Sequence, residues 1–295
     1  MTNLLSPTPS LSGRDLTVDM ALKQPTRIRA RIANLAASNL LIDKFFRGLG
    51  SPVQGGGMLY SVLKATDFFT TDVRQRGAGD EYEIVRGVDP ETRLAKPEDW
   101  GGKFKVTDEQ RGRNEISYLD QNTTQLANTI ARKLDTRAME VVQAAVTGDN
   151  VVPGHDWGNL TFVGPEANLT PSALRPTADF SAAQLASSLQ ELGITHDLLV
   201  LHPAQAHDLR VAYGDQLGAM LASAGLTMFE NPRITAGEGW VLQRGQVGIV
   251  GFEHPLTVNV WDDRSVRSTW VQAYCVPALA VEKPYAAKKL TGLAL

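Results

Sequence analysis

Residues 122–146 carry an apolar side chain every three or four positions: Leu126, Ile130, Leu134, Ala138, Val141 and Ala145. That period puts all six on one stripe of a helix. Asn122 with Gln125 fits a capping box at its start, and Gly148 offers a stop. The spacing predicts a helix of about 23 residues, roughly 34 Å long and twice the mean globular length. A rod of that size acts as the backbone of a domain, and the rest of the chain has to be arranged around it.

Immediately before it lies a block of another character. Residues 72–115 hold 11 acidic and 9 basic side chains in 44 positions, a third of the charges in a 295-residue chain of net charge -3. So few apolar residues cannot make a core of their own. Within the block, 81–86 (EYEIVR) and 103–107 (KFKVT) alternate polar and apolar residues, the period of strands. Gly87, Asp89-Pro90, Pro97 and Gly101-Gly102 between them are turn residues. The pattern predicts a long two-stranded arm with a loose tip at 87–102. A disordered insertion is the alternative.

Residues 1–26 lack periodicity and read as a tail. Arg27, Arg29 and Arg31 form a short basic run, a solvated or interfacial face or a contact to phosphate. A helix over 30–46 follows, and Gly55-Gly56-Gly57 gives a flexible joint. Further on, Ser181 with Gln184 suggests another capping box, with Leu185, Leu189 and Leu192 as the buried line. Residues 197–201 (DLLVL) form a buried strand, and His202-Pro203 opens a helix. From Trp240 onward β character dominates. Leu256, Val258 and Val260 alternate with Thr257 and Asn259, and Asp262-Asp263-Arg264 can turn the chain.

Chemistry is sparse. His196, His202 and His207 fall before a strand, at a helix cap and within a helix, without metal-binding spacing. The lone Cys275 sits in a predicted strand, where a buried, inert thiol is the default, and it excludes an intrachain disulfide. Glu253 and His254 lack a nucleophile and an orienting third group. No phosphate loop, dinucleotide loop or zinc motif occurs. Near-balanced charge argues against a surface basic all over, and the start has neither signal-peptide pattern nor spanning segment. The expectation is a soluble protein that is not an enzyme, with no cofactor, no metal and no membrane partner.

The stretch from Ile234 to Leu293 resembles the closing region of major capsid proteins of tailed bacteriophages, closest in style to those of actinobacterial phages. GEGWVLQRGQVG, EHPLTV and EKPYAAKKLTG carry the likeness. The order of elements agrees with the HK97-like fold of that family. The resemblance implies an α+β chain: N-terminal arm at 1–50, run-in to the peripheral domain at 51–71, extended β-hairpin (E-loop) at 72–115, and peripheral domain with its spine helix at 116–149. An α/β axial domain at 150–240 and C-terminal strands at 241–295 would follow, the strands completing the peripheral domain, with a last strand in the axial domain as the further option.

It also implies a virion protein, assembled in the host cytoplasm into pentamers and hexamers of an icosahedral head around double-stranded DNA. Its partners would be itself, non-specifically bound DNA, a portal, a separate scaffolding protein and a decoration protein. Tyr82, Ile84, Trp100, Phe104 and Val106 are the expected anchors of the arm on neighbours. Arg27, Arg29 and Arg31 would face the interior or a neighbour. Gly55, Gly56, Gly57, Gly77 and Gly79 are the expected hinges, the last two at the root of the arm. Some relatives join subunits through a Lys–Asn bond. Lys96, Lys103, Lys105 and Asn259 lie in the corresponding regions, but the full trio with an acidic residue is not matched. An encapsulin-type compartment shell is the nearest rival, and a soluble enzyme of unknown class the second.

Overall fold

In the computed structural model, residues 17–37 and 40–294 are described, and they form an α+β chain. The chain divides into two units: Met1–Ser38, Asp99–Lys133 and His254–Val276 make one, and Asn39–Glu98, Leu134–Glu253 and Pro277–Leu295 the other.

Thr17 caps α1 (Val18–Leu22), its Oγ1 accepting from Met20 N. Pro25, needing no N–H partner, opens α2 (Pro25–Ala37). The helix predicted over 30–46 is therefore shifted and divided, for a second short helix, α3 (Ile42–Phe45), leads into β1 (Phe46–Gly48). Then come β2 (Met58–Val62), β3 (Glu91–Ala95) and β4 (Trp100–Thr107). At the end of β4, Thr107 and Gln110 cap α4 (Asp108–Gly112) reciprocally, each side chain accepting the other's backbone N–H.

The long helix α5 spans Ile116–Ala145, 30 residues and about 45 Å. It starts six residues before the expected cap. Asn122 is interior: its Nδ2 donates to the Tyr118 carbonyl, as Thr124 does to that of Asp120, so these side chains bond the preceding turn. The chain reverses before the helix at Asn114, in the left-handed region at φ 56°.

In the first unit, β4 pairs antiparallel with β10 (Ser268–Ala280), from Ser268 opposite Thr107 to Cys275 opposite Trp100. Phe104 and Val106 thus belong to a sheet, and the expected pairing of 103–107 with 81–86 does not form. Residues 81–86 are not a strand at all. Gly101 is needed here, since a Cβ on it would lie 2.5 Å from Tyr274 Cβ. The preceding strand β9 (Gly248–Asp263) reaches β10 through a turn at 264–267, later than the expected 262–264; Asp262 and Asp263 end the strand, Asp262 accepting from Thr269 Oγ1 and Asp263 from Ser265 Oγ.

In the second unit, β5 (Val151–Pro153), β6 (Leu198–Leu201), β7 (Thr227–Glu230), β8 (Glu238–Leu242) and β11 (Ala287–Thr291) form a sheet in the order β5-β11-β8-β6-β7. Helices α6 (Pro176–Ser188), α7 (Pro203–Tyr213) and α8 (Leu217–Ser223) accompany it, with a core of Trp157, Phe180, Leu199, Leu201, Leu209, Val241 and Leu290. The buried strand at 197–201 and the Pro203 helix start agree with the sequence reading; His202 Nδ1 accepts from Ala204 N. Helix α6 does not. It begins at Pro176 rather than Ser181 and buries Asp179, Phe180, Ala183 and Ser187, leaving Leu185 and Leu189 exposed.

Candidate assembly surfaces

The hairpin β2–β3 pairs Met58 with Ala95, Leu59 with Leu94 and Val62 with Glu91. Alternation along the strands decides its two faces. Met58 and Ala95 enter a small core with Val53, Ile249, Ala278 and Ala280, while Leu59 and Leu94 stand opposite one another in solvent. The root is tied down by Leu63 N donating to the Glu282 carbonyl and Glu98 N to that of Pro277. Arg137 of α5 grips the Glu98 carboxylate through Nε and Nη2, at 2.9 and 2.8 Å. A cleft of about 710 Å³ lies at this root, lined by Tyr60, Lys64, Arg93, Arg137 and Tyr285 among others.

Beyond the root the legs carry no ladder but stay in contact. Thr71 and Arg86 share two hydrogen bonds, Arg74 pairs with Glu83 at 3.4 Å, and the Arg76 guanidinium lies 4.8 Å from the Tyr82 ring centroid. Asp80 N donates to the Gly77 carbonyl, closing a turn in which Gly79 takes φ 98°. The extended arm therefore runs over 58–95 with its tip at Gly77–Gly79. The tip was expected at 87–102 and these glycines at the root; residues 91–95 are instead the return strand.

Nine of the eighteen exposed large hydrophobic side chains among the described residues fall between Leu59 and Leu94. Tyr82 and Ile84, expected as anchors, are among them, Ile84 at 86 % exposure. Phe68, Phe69, Val73, Val85 and Val88 join them; four of these lie in stretches without period, and Val85 falls out of phase with Tyr82 and Ile84, so sequence reasoning passed over them. The other expected anchors are elsewhere. Val106 is buried at 2 % exposure in the sheet with β10, which removes it as a contact to a neighbour. Trp100 and Phe104 are half-buried on the same strand.

Arg27, Arg29 and Arg31 are all exposed on α2, whose inner face is Ile28 and Ile32. Arg31 pairs with Asp120 at 2.6 Å. At the expected joint, Gly55 and Gly56 have positive φ and open space, whereas a Cβ on Gly57 would lie 2.6 Å from Leu94 Cδ1. Of the lysines in the arm region, Lys103 lies over the Trp270 ring, and Lys96, Lys105 and Asn259 are exposed.

The buried polar groups are structural fasteners. Asp135 accepts from Leu41 N at 2.8 Å and Asn231 Nδ2 at 3.3 Å; burial pushes its carboxyl up to about 6 against these bonds. Lys288, fully buried, donates to Asn150 Oδ1 and Gln190 Oε1, and burial brings it down to about 8. His196 contacts Ser187 Oγ through Nε2, and burial, then the Lys288 charge, lowers it to about 4. Burial raises the Cys275 thiol to about 11. Among the described residues no three His, Cys, Asp or Glu side chains gather as metal ligands, and no helix is long and apolar enough to cross a membrane.

A sequence profile described as "Phage capsid protein" matches residues 90–290, about two thirds of the chain. No curated protein matches. Among solved structures, one from Microbacterium phage Oxtober96 is similar with TM-score 0.62 and 10% identity, over 99% of this chain and 97% of that one. A phage-related protein from Bordetella bronchiseptica RB50 gives 0.60 at 14% identity, over 92% and 97%. The virus-like particle from Pyrococcus furiosus gives 0.55 at 13% identity, over 90% and 98%. At such identities the structures speak for the fold, an HK97-like capsid architecture. With the profile spanning α5, the five-stranded sheet and β9–β10, the chain belongs to the phage capsid protein family, whose members are shell proteins.

Proposed function

We propose that the protein is the major capsid protein of a tailed bacteriophage, closing as pentamers and hexamers into an icosahedral head around double-stranded DNA. The observation that carries this reading is the arm, which projects half of the exposed large hydrophobic side chains on two thin legs. Two strands alone are marginal in water, and apart from Phe68, whose ring meets Tyr285 edge-on, the apolar side chains along the legs stand in solvent. They gain burial only against another molecule, and in a homo-oligomer that molecule is a second copy. Many modest contacts of this kind sum to a stable shell.

In this reading the arm is the E-loop, α5 is the spine of the peripheral domain, and the five-stranded sheet with α6–α8 is the axial domain. Gly55 and Gly56 provide the freedom to fit both pentamers and hexamers. DNA is held without sequence preference, and a portal, a separate scaffolding protein and a decoration protein are the further partners. Assembly takes place in the host cytoplasm, and the wording of 234–293 favours a phage of actinobacteria.

Expression of the chain followed by gel filtration and negative-stain microscopy tests the reading. Closed particles that take up DNA alongside portal and scaffold support it. A monomer or small dimer in every buffer would sink it, and particles filled with an enzyme cargo would favour a compartment shell.

A further inference from the structure

Two surfaces of opposite charge each keep exposed side chains that form no ion pair among the described residues. On α2 the sequence PTRIRARIANLAA contains three arginines and no acidic residue. Ile28 and Ile32 are buried, which turns the arginines outward. Arg31 is engaged by Asp120, but neither Arg27 nor Arg29 forms an ion pair among the described residues.

The distal part of the arm has the opposite balance. Residues 72–91 hold six acidic and three basic side chains. Two of the three bases are turned into the arm itself, Arg74 onto Glu83 and Arg76 onto the Tyr82 ring and the Asp80 carbonyl. Asp72, Glu81 and Asp89 remain exposed with no ion pair among the described residues. The internal pairing of the arm thus leaves a net negative outer surface, studded with apolar side chains.

We infer that the acidic arm of one subunit docks on the arginine face of α2 in a neighbouring copy. This rests on the shell reading above. Two different surfaces of one chain that complement each other make a head-to-tail contact, the kind that closes rings. Arginine suits it, because its aliphatic stem covers Val73 or Ile84 while the guanidinium meets a carboxylate. Charge complementarity at such a rim fixes register and partner choice more than affinity. Packaged DNA is the competing occupant of α2, but two arginines per copy without an ion pair among the described residues are a thin basis for it, and the complementary surface is present in every copy.

A charge exchange tests the inference. Arg27→Glu with Arg29→Glu, and separately Asp72→Arg with Glu81→Arg and Asp89→Arg, should each lower particle yield about tenfold. Combining all five should restore yield to that of the wild type. Arg27→Gln with Arg29→Gln, a milder change, should weaken assembly and reduce its salt sensitivity, with unfolding of the unassembled subunit unchanged as the folding control. Particle yields unaffected by either reversal overturn the inference, and so does a combination that fails to rescue. Arg27→Glu with Arg29→Glu particles that form normally but retain less DNA assign α2 to DNA instead. If the wild-type chain forms no particles at all, it is the shell reading that fails.

Discussion

Thr71 and Arg86 are joined twice: Thr71 N donates to the Arg86 carbonyl and Arg86 N to Thr71 Oγ1, both at 3.0 Å. Residues fifteen apart in the chain are thereby held side by side, which makes everything between them a removable tip. Replacing residues 73–84 with Asn-Gly, a tight-turn pair, should therefore leave the subunit folded. Its thermal unfolding should match the wild type while closed particles disappear from negative-stain fields. Normal shells from this variant would remove the arm from assembly.

Ile84 and Val106 separate assembly from stability. Val106→Ala deletes buried methyls from the β4–β10 sheet and should cost about 2 kcal/mol in urea unfolding of the unassembled subunit. Ile84→Ala should cost less than about 0.5 kcal/mol there, yet lower particle yield, because its side chain is unburied until a neighbour covers it.

The contact of Gly101 with Tyr274 is a test of strand pairing. Gly101→Ala places a methyl against Tyr274 Cβ and the Ala273 carbonyl, which is 2.8 Å away. It should destabilise the subunit by about 1–3 kcal/mol. Gly87→Ala, with nothing within 4 Å of the new methyl, should be silent in the same denaturant titration.

Asp135 predicts a pH dependence. Its folded value of about 6 lies above its ordinary value of 3.8, so the folded state binds the proton more tightly than the unfolded one. The stabilisation is full below pH 4 and is lost as pH rises through 6, a change on the order of 3 kcal/mol. Asp135→Asn should flatten this part of the profile. Subtracting the variant's denaturation free energies from those of the wild type between pH 4 and 7 isolates the effect; a difference that does not vary with pH would refute it.

Periodicity reported the elements whose partners are solvent and one packed face. The stripe from Leu126 to Ala145 and the alternation over 256–260 both predicted real elements, because a helix or a half-solvated strand writes its environment into a local period. Boundaries were less legible. Asn122 looks like a cap in sequence, but the same side chain bonds an interior carbonyl equally well, and only the turn at Asn114 shows where α5 begins. In α6, Leu185 and Leu189 have the spacing of a buried line, yet the sheet selects the face with Asp179, Phe180 and Ala183.

The sequence by itself determined that a long helix would organise the fold and that a charged stretch ahead of it would project from it. Only the tertiary structure decided which strands that stretch contains and which of its apolar residues are free. KFKVT and EYEIVR have the same period, but Phe104 and Val106 find β10 more than 160 residues away, while Tyr82 and Ile84 find no strand at all. The physical reason is that a strand is completed by hydrogen bonds to another segment, so its pairing is a property of the whole chain, whereas a helix closes its hydrogen bonds within itself.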